Sequence, residues 1–148
     1  MLIERGADVN FVDSLGWTPI TKAVHKNKLE IIKILISKGA DLNLKPSNKI
    51  SALSKAVSKD NLDIVKLLVE NGAIINTREK YGATPFHRAI INNHKQIIKF
   101  LIENGADLFC RTAILKNNSI EVALKEKQNS ILKMLLHHQL QYSYFYYS

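Results

Sequence analysis

The segment Gly39-Ala40-Asp41-Leu42-Asn43 decides the fold, because the chain repeats it at a fixed interval. Its glycine recurs at evenly spaced positions, and each copy of that glycine is followed by alanine. Self-similarity at one such period is the signature of a repeat architecture. The other copies are Gly6-Ala7-Asp8-Val9-Asn10, Gly72-Ala73-Ile74-Ile75-Asn76 and Gly105-Ala106-Asp107-Leu108.

Each repeat is predicted to contain two helices and a long loop. In the first complete repeat Thr18 can cap a short helix, and Pro19 suits its first turn, where no N–H is needed. Asn27 tolerates the left-handed conformation that ends this helix, and Asp60 and Asn93 take its place later. A second helix runs from about residue 29 to 38, and the glycine of the repeated segment ends it. Neither helix can bury its apolar side chains alone, so the repeats are predicted to stack.

These patterns resemble the ankyrin repeat family. The resemblance rests on the glycine-alanine segments, on Gly16-Trp17-Thr18-Pro19-Ile20 and on Gly82-Ala83-Thr84-Pro85-Phe86-His87. It implies an all-α solenoid of stacked helix-turn-helix units joined by hairpin-like loops, with a non-catalytic, protein-binding role as an adaptor or scaffold. The predicted boundaries are 1–12 (partial N-terminal repeat), 13–45, 46–78 and 79–111 (complete repeats), 112–140 (degenerate C-terminal capping repeat) and 141–148 (aromatic tail).

Both ends depart from the pattern. Residues 1–12 hold only the end of a long helix, so the inner side of the first complete repeat should be poorly covered. A fragment of a longer array and a short degenerate gene product both fit this. The last repeat keeps its apolar columns only with one inserted residue, and it lacks the Thr-Pro and Gly-Ala-Asp segments, as terminal repeats often do. For the tail, packing on the last helix pair and disorder are both open, with disorder favoured beyond Tyr144.

Composition restricts the class of protein. Of 148 residues, 46% are hydrophobic and 23% charged, which is typical of a folded globular chain. No apolar run reaches the roughly 18–20 residues of a membrane span, and the charged first residues exclude a secretory signal peptide. The one cysteine, Cys110, fits a reducing compartment such as the cytosol or nucleus, with delivery into a host cell left open.

No catalytic or metal-binding motif is present. The sequence lacks H-E-x-x-H, G-x-S-x-G and the phosphate-binding G-x-x-x-x-G-K pattern, and its histidines have no metal-ligand spacing. We interpret His87 as a hydrogen-bonding support of its turn. His137 and His138 are interpreted as partners of helix-terminal carbonyls. The sequence predicts a non-enzyme with no cofactor, no metal and no small-molecule substrate.

Basic residues recur in three columns. The first column, just before each loop tip, is predicted to form a basic edge along the mouth of a groove, although compositional bias explains it equally well. The second column lies on the outer face of the long helices, and the third lies on the short helices; both are interpreted as solvated surface. The columns are Lys45, Arg78 and Arg111; Lys33, Lys66, Lys99 and Lys133; and Lys22, Lys55 and Arg88.

The positions that form the contact surface of the family complete the predicted site. Trp17 and Tyr81 stand out, because exposed aromatics beside basic residues are typical of interface hot spots. The predicted partner-binding residues are Ser14, Leu15, Trp17, His25, Lys26, Lys45, Ser58, Lys59, Arg78, Lys80, Tyr81, Asn92 and Arg111.

The net charge of +8, from 21 basic and 13 acidic residues, bears on the partner. The leading hypothesis is a protein partner with an acidic surface, bound in the concave groove. A charge-driven binder of nucleic acid or of an anionic surface is the alternative. The absence of a recognised motif and the spread of lysines over several faces argue against nucleic acid. An activity elsewhere in a larger ankyrin-array protein is also left open.

Overall fold

The computed structural model describes residues 6–45, 50–111, 119–125 and 128–147. These residues form eight α-helices in four consecutive pairs, and the described ranges contain no strand. The all-α repeat solenoid expected from the resemblance is the observed fold. The helices are α1 (Pro19–His25), α2 (Leu29–Ser37), α3 (Ala52–Ser58), α4 (Leu62–Glu70), α5 (Pro85–Ile91), α6 (Lys95–Glu103), α7 (Ser119–Lys125) and α8 (Asn129–Tyr147).

The short helices form one continuous layer. Helix α1 packs on α3, α3 on α5 and α5 on α7, and each of them also packs on the long helix of its own pair. Ala23, Ala56 and Ala89 lie where neighbouring short helices meet, and each is at most 5% exposed. A small side chain at this point allows the backbones to approach closely, so the core extends along one axis.

The short helices begin with the predicted caps. The Thr84 hydroxyl lies 2.9 Å from His87 Nδ1 and accepts the His87 backbone N–H, and the histidine is fully buried. The interpretation of His87 as a support of its turn is therefore confirmed. In the second repeat Ser51 replaces threonine, and its hydroxyl still accepts a hydrogen bond from the Ser54 N–H.

Residues in the left-handed region end the helices as predicted. Asn27, Asp60 and Asn93 follow the short helices with φ of 52°, 54° and 59°. Asparagine and aspartate tolerate this conformation because their short polar side chains bond locally. Gly39, Gly72 and Gly105 follow α2, α4 and α6, again with positive φ.

An asparagine ladder joins consecutive loops. Asn43 Oδ1 accepts a hydrogen bond from the Ile74 N–H at 2.8 Å, and Asn43 Nδ2 donates to the Gly72 carbonyl at 3.1 Å. Asn76 makes the same two bonds to Asp107 and Gly105, one repeat later. Each amide therefore fixes the loop of its own repeat against the loop of the next.

The long helix of the first complete repeat leaves an apolar side chain exposed; residues 1–5, which bear on the predicted poor coverage of its inner side, lie outside the described residues. Ile31 of α2 is 42% exposed, whereas Ile64 and Ile97 occupy the same place in α4 and α6 and are at most 1% exposed. The later isoleucines belong to the buried core. Ile31 instead borders an open apolar depression of about 360 Å³, which Phe11 and Pro19 also line.

The last helix pair confirms the predicted one-residue insertion. Ala123 takes the place of Ala89 in α7, and it lies one position later than the regular spacing of Ala23, Ala56 and Ala89 would put it. Ala123, Ile131 and Leu135 of this pair are fully buried. The prediction of disorder beyond Tyr144 is wrong, because α8 continues to Tyr147 and crosses the predicted boundary at residue 140.

The length of α8 has a local cause. The other long helices have nine residues and stop at a glycine, whereas α8 has 19 residues and its sequence holds no glycine or proline. No glycine therefore provides the left-handed turn that ends α2, α4 and α6. The interpretation of His137 and His138 as partners of helix-terminal carbonyls is also wrong, since both residues lie in the middle of α8.

Candidate partner-binding site

The predicted basic edge connects consecutive loops. Lys45, Arg78 and Arg111 are all exposed, and Lys45 Nζ donates a hydrogen bond to the backbone carbonyl of Arg78 at 3.1 Å. This contact spans 33 residues of sequence, which is one full repeat, and brings the first two members of the column together. The structure thus brings Lys45 and Arg78 together, and this contact does not include Arg111.

Asp13 organises the loop of the first complete repeat. Its Oδ1 accepts hydrogen bonds from the N–H groups of Leu15 (3.0 Å) and Trp17 (2.8 Å), and its Oδ2 lies 2.5 Å from Lys22 Nζ. The hydrogen bond from Lys22, followed by that from Trp17, lowers the pKa of the Asp13 carboxyl. The loop thus holds the Leu15 side chain at its tip, where 74% of the residue is exposed.

Glu79 occupies the position of Asp13 in the loop of the third repeat. Both of its carboxylate oxygens accept from the guanidinium of Arg88, and this paired arrangement is the strong form of such a bond. The loop carries Tyr81 at its tip with φ of 70° and 54% exposure. Lys80 Nζ lies 4.9 Å from the centroid of the tyrosine ring.

The second repeat differs from its neighbours at this place. Its sequence has Pro46 where the flanking repeats have an acid, so Lys55 lacks the counterpart of the carboxylates that pair with Lys22 and Arg88. Among the described residues no carboxylate lies within 4 Å of Lys55 Nζ. The ammonium group lies instead over the ring of Trp17, 4.6 Å from its centroid.

Trp17 is the centre of a group of side chains from two repeats. The centroids of the Trp17 and His25 rings are 5.1 Å apart and the ring planes are inclined by 59°. The prediction of an exposed Trp17 is wrong, because the histidine and Lys55 lie against the indole and leave the residue half-buried. We call this group the Trp17 cluster; it consists of Trp17, His25, Lys26, Lys55 and Lys59.

Desolvation and repulsion between cations both lower pKa values in the Trp17 cluster. Partial desolvation, followed by the charges of Lys59, Lys55 and Lys26, lowers the pKa of His25. Desolvation is also the largest cause of the lowered pKa of Lys55, and the charges of Lys59 and Arg88 add to it. Both groups therefore gain from an anion that comes close to them.

The remaining predicted residues lie around these features. Ser14, Lys26, Lys59 and Asn92 are exposed, whereas Ser58 is half-buried and its hydroxyl donates to the Ser54 carbonyl at 2.9 Å. Lys55 is the residue that sequence reasoning missed, since its column is interpreted as solvated surface. The signal is present in the sequence: an acid precedes the other two members of that column, in the loop before their helix, and Pro46 stands at that position before Lys55.

The other described surfaces are weaker candidates for a binding site. The outer lysines Lys33 and Lys99 are exposed and lie near glutamates of their own helices, at 2.9 Å and 3.9 Å. In the part of the chain that the structure describes, no group of three or more His, Cys, Asp or Glu side chains could hold a metal ion. None of the described helices combines the length and the apolar character needed to cross a membrane.

Stacked helix pairs with a continuous surface of loops and short helices define the class as a repeat solenoid. Within that class, a family model described as ankyrin repeats in three copies matches residues 1–79, 42–112 and 75–144. The chain belongs to the ankyrin repeat family. Ankyrin repeats are generally protein–protein interaction modules and are typically non-catalytic. A search of the curated proteins finds no match to this chain.

Proposed function

We propose that this chain is a non-catalytic adaptor or scaffold that binds an acidic surface of a partner protein in the concave groove between its loops and short helices. One observation supports this more than any other. Exposed apolar or aromatic side chains lie at the loop tips of the first and third complete repeats and at the end of α5, and the ammonium group of Lys80 lies over the ring of Tyr81. Leu15, Tyr81 and Ile91 are 74%, 54% and 55% exposed.

Such a combination fits a protein interface better than an enzyme site. Aromatic and apolar side chains supply the desolvated contacts of an interface, and basic groups around them favour an acidic partner. Charges at the rim act mainly on the association rate, which therefore falls as the salt concentration rises. The outer column of lysines lacks exposed aromatic side chains beside it among the described residues.

The test compares two triple variants of equal charge. Lys45, Arg78 and Arg111 changed to Glu reverse the basic edge, and Lys33, Lys66 and Lys99 changed to Glu reverse the outer column by the same amount. Proteins of the native cell are captured with each variant and with the wild type. We expect the first variant to lose the partners that the wild type retains, and the second to keep them.

Equal capture by the basic-edge variant and the wild type would contradict the proposed site. Circular dichroism and the midpoint of urea unfolding serve as the folding control, since all six substituted side chains are exposed. Association rates measured for a captured partner at two salt concentrations then check the electrostatic part of the proposal.

A further inference from the structure

Lys55 differs from the other two basic residues in its column, Lys22 and Arg88, in its carboxylate partners. Lys22 and Arg88 each pair with the acid that opens the preceding loop, and the sequence has Pro46 in place of that acid in the repeat between them. Lys55 is partly buried, so its charge is less well hydrated than that of a free surface lysine. A partly desolvated cation without a carboxylate partner has more to gain from an anionic ligand than a solvated one.

Most of the charged groups around Lys55 are also positive. Lys59 lies one turn along α3 from Lys55, while His25 and Lys26 approach from the end of α1. The charges that act on His25 are those of Lys59, Lys55 and Lys26, and Arg88 of α5 also acts on Lys55. The acid that acts on Lys55 is Glu79, and its carboxylate is already engaged with Arg88.

We propose that the Trp17 cluster binds a carboxylate-bearing peptide segment of the partner, with a carboxylate close to the ammonium groups of Lys55 and Lys59 and a proton taken up by His25 on binding. The proposal rests on the proposed function and assigns a place and a chemistry to the contact. The indole ring provides an apolar surface beside the cations, against which an aliphatic stem such as that of glutamate can pack.

Charge complementarity favours a peptide over a nucleic acid. Binding of single strands depends on aromatic faces that are free to stack on bases. The rings of both Trp17 and Tyr81 have a lysine ammonium group over them, at 4.6 Å and 4.9 Å. A base that stacks on either of these faces would have to displace the lysine, whereas a carboxylate can approach the same lysines from outside the ring.

Proton uptake follows from the arrangement of charges. In the free protein partial desolvation and the three lysines disfavour the imidazolium form of His25, so its pKa is lowered. A bound carboxylate adds the opposite charge beside the ring and raises that pKa again. The bound state therefore holds more protons, and the affinity rises as pH falls toward and below the ordinary histidine value.

The experiment uses the single tryptophan of the chain as the reporter. Trp17 emission is followed while hexaglutamate is added to the full chain at low salt, with oligothymidylate of equal length in a parallel titration. We expect saturable binding of hexaglutamate that the double variant Lys55→Gln/Lys59→Gln weakens by about three- to tenfold. The control Lys66→Gln/Lys99→Gln removes the same charge from the outer column and should change the affinity by less than about twofold.

A second titration tests the proton. Between about pH 7.5 and pH 5.5 glutamate carboxylates remain ionised, so a change in affinity reports on the protein. We expect the affinity of the wild type to rise over this interval, by at most about tenfold for each unit by which the ligand raises the pKa of His25. In His25→Gln the affinity should be independent of pH.

Each outcome decides the proposal. Equal losses in the two double variants, or tighter binding of oligothymidylate than of hexaglutamate, would overturn the site. The same pH dependence in His25→Gln would overturn the proton step. The single variant Lys59→Gln, at an exposed residue, repeats the test if the double variant is less well folded. The capture experiment compares variants of the basic edge and of the outer column, and the titration compares variants of the Trp17 cluster, so a failure of one proposal is distinguishable from a failure of the other.

Discussion

Ile31 and Ile64 occupy the same place in successive repeats, yet one is 42% exposed and the other is 1% exposed. The two side chains have the same chemistry and the same position within their helices, α2 and α4. They differ because the repeat that holds Ile64 has a packed repeat on each side, whereas only residues 6–12 are described before the repeat that holds Ile31. The neighbour therefore decides how much a residue contributes to stability, and interior repeats should be the most sensitive to substitution.

The largest expected effect comes from substitution of the covered isoleucines. Ile64→Ala or Ile97→Ala removes a buried side chain and leaves a cavity, so each should lower the free energy of unfolding by about 2–5 kcal/mol. Ile31→Ala removes a side chain that already contacts water, and about 1 kcal/mol is expected from its smaller buried area. Urea unfolding of the three variants measures the difference.

Similar losses of stability in the Ile31 and Ile64 variants would mean that Ile31 is covered in solution. A preceding repeat in a longer array would produce the same result, because it would cover Ile31. Measurements at several protein concentrations serve as the control, because coverage by a second copy would make the midpoint concentration-dependent.

A smaller effect is expected in the asparagine ladder. Asn43 makes two hydrogen bonds to the next loop, whereas Asn10 accepts one, from the Asp41 N–H at 2.7 Å. Asn43→Ala should therefore lower the free energy of unfolding by about 1–2 kcal/mol, and Asn10→Ala by about half of that. Hydrogen exchange of the Ile74 amide, which is bonded to Asn43, should become faster in Asn43→Ala alone; unchanged exchange would argue against the ladder.

The smallest effect concerns Asp13 in the first loop. Its folded pKa is lowered from the ordinary value of 3.8, so its ionisation stabilises the fold above that pH. This contribution is lost as pH falls through the lowered folded pKa. Urea midpoints measured between about pH 5 and pH 3 should fall less steeply in Asp13→Asn than in the wild type. Parallel curves would show that the pair with Lys22 adds nothing to stability.

Much of the fold was predictable because each complete repeat carries its own helix stop signals. Residue types that tolerate positive φ stand where the helices of the complete repeats end, so the glycine column and Asn27, Asp60 and Asn93 were sufficient to place those ends. The same reasoning would have predicted that α8 continues into the tail. With the inserted residue allowed for, Gln139 takes the place of Gly105, and without a glycine there α8 has no reason to stop. The lack of a repeat counterpart for the tail suggested disorder instead.

The candidate site was less predictable, since a period fixes the order of repeats but not the distances between side chains in adjacent ones. Trp17 and Lys55 belong to different repeats and meet only because α1 packs beside α3. The column of Lys22, Lys55 and Arg88 gave three equivalent cations. Their different environments depend on the loop acids and on Pro46, which belong to another column.

The asparagine ladder also affects the order in which the repeats unfold. Phe109 occupies the position of Asn43 and Asn76 in the last loop, and a phenyl ring can neither donate nor accept the two amide bonds. The complete repeats are therefore joined at both their helices and their loops, whereas the described residues join the last repeat through the packing of α7 on α5 and a hydrogen bond from Gln128 Nε2 to the Ile90 carbonyl. In a linear array of coupled units, the weakest junction opens first. Unfolding should accordingly start at the C-terminal repeat, and the rate of its detachment would limit how long the intact array survives.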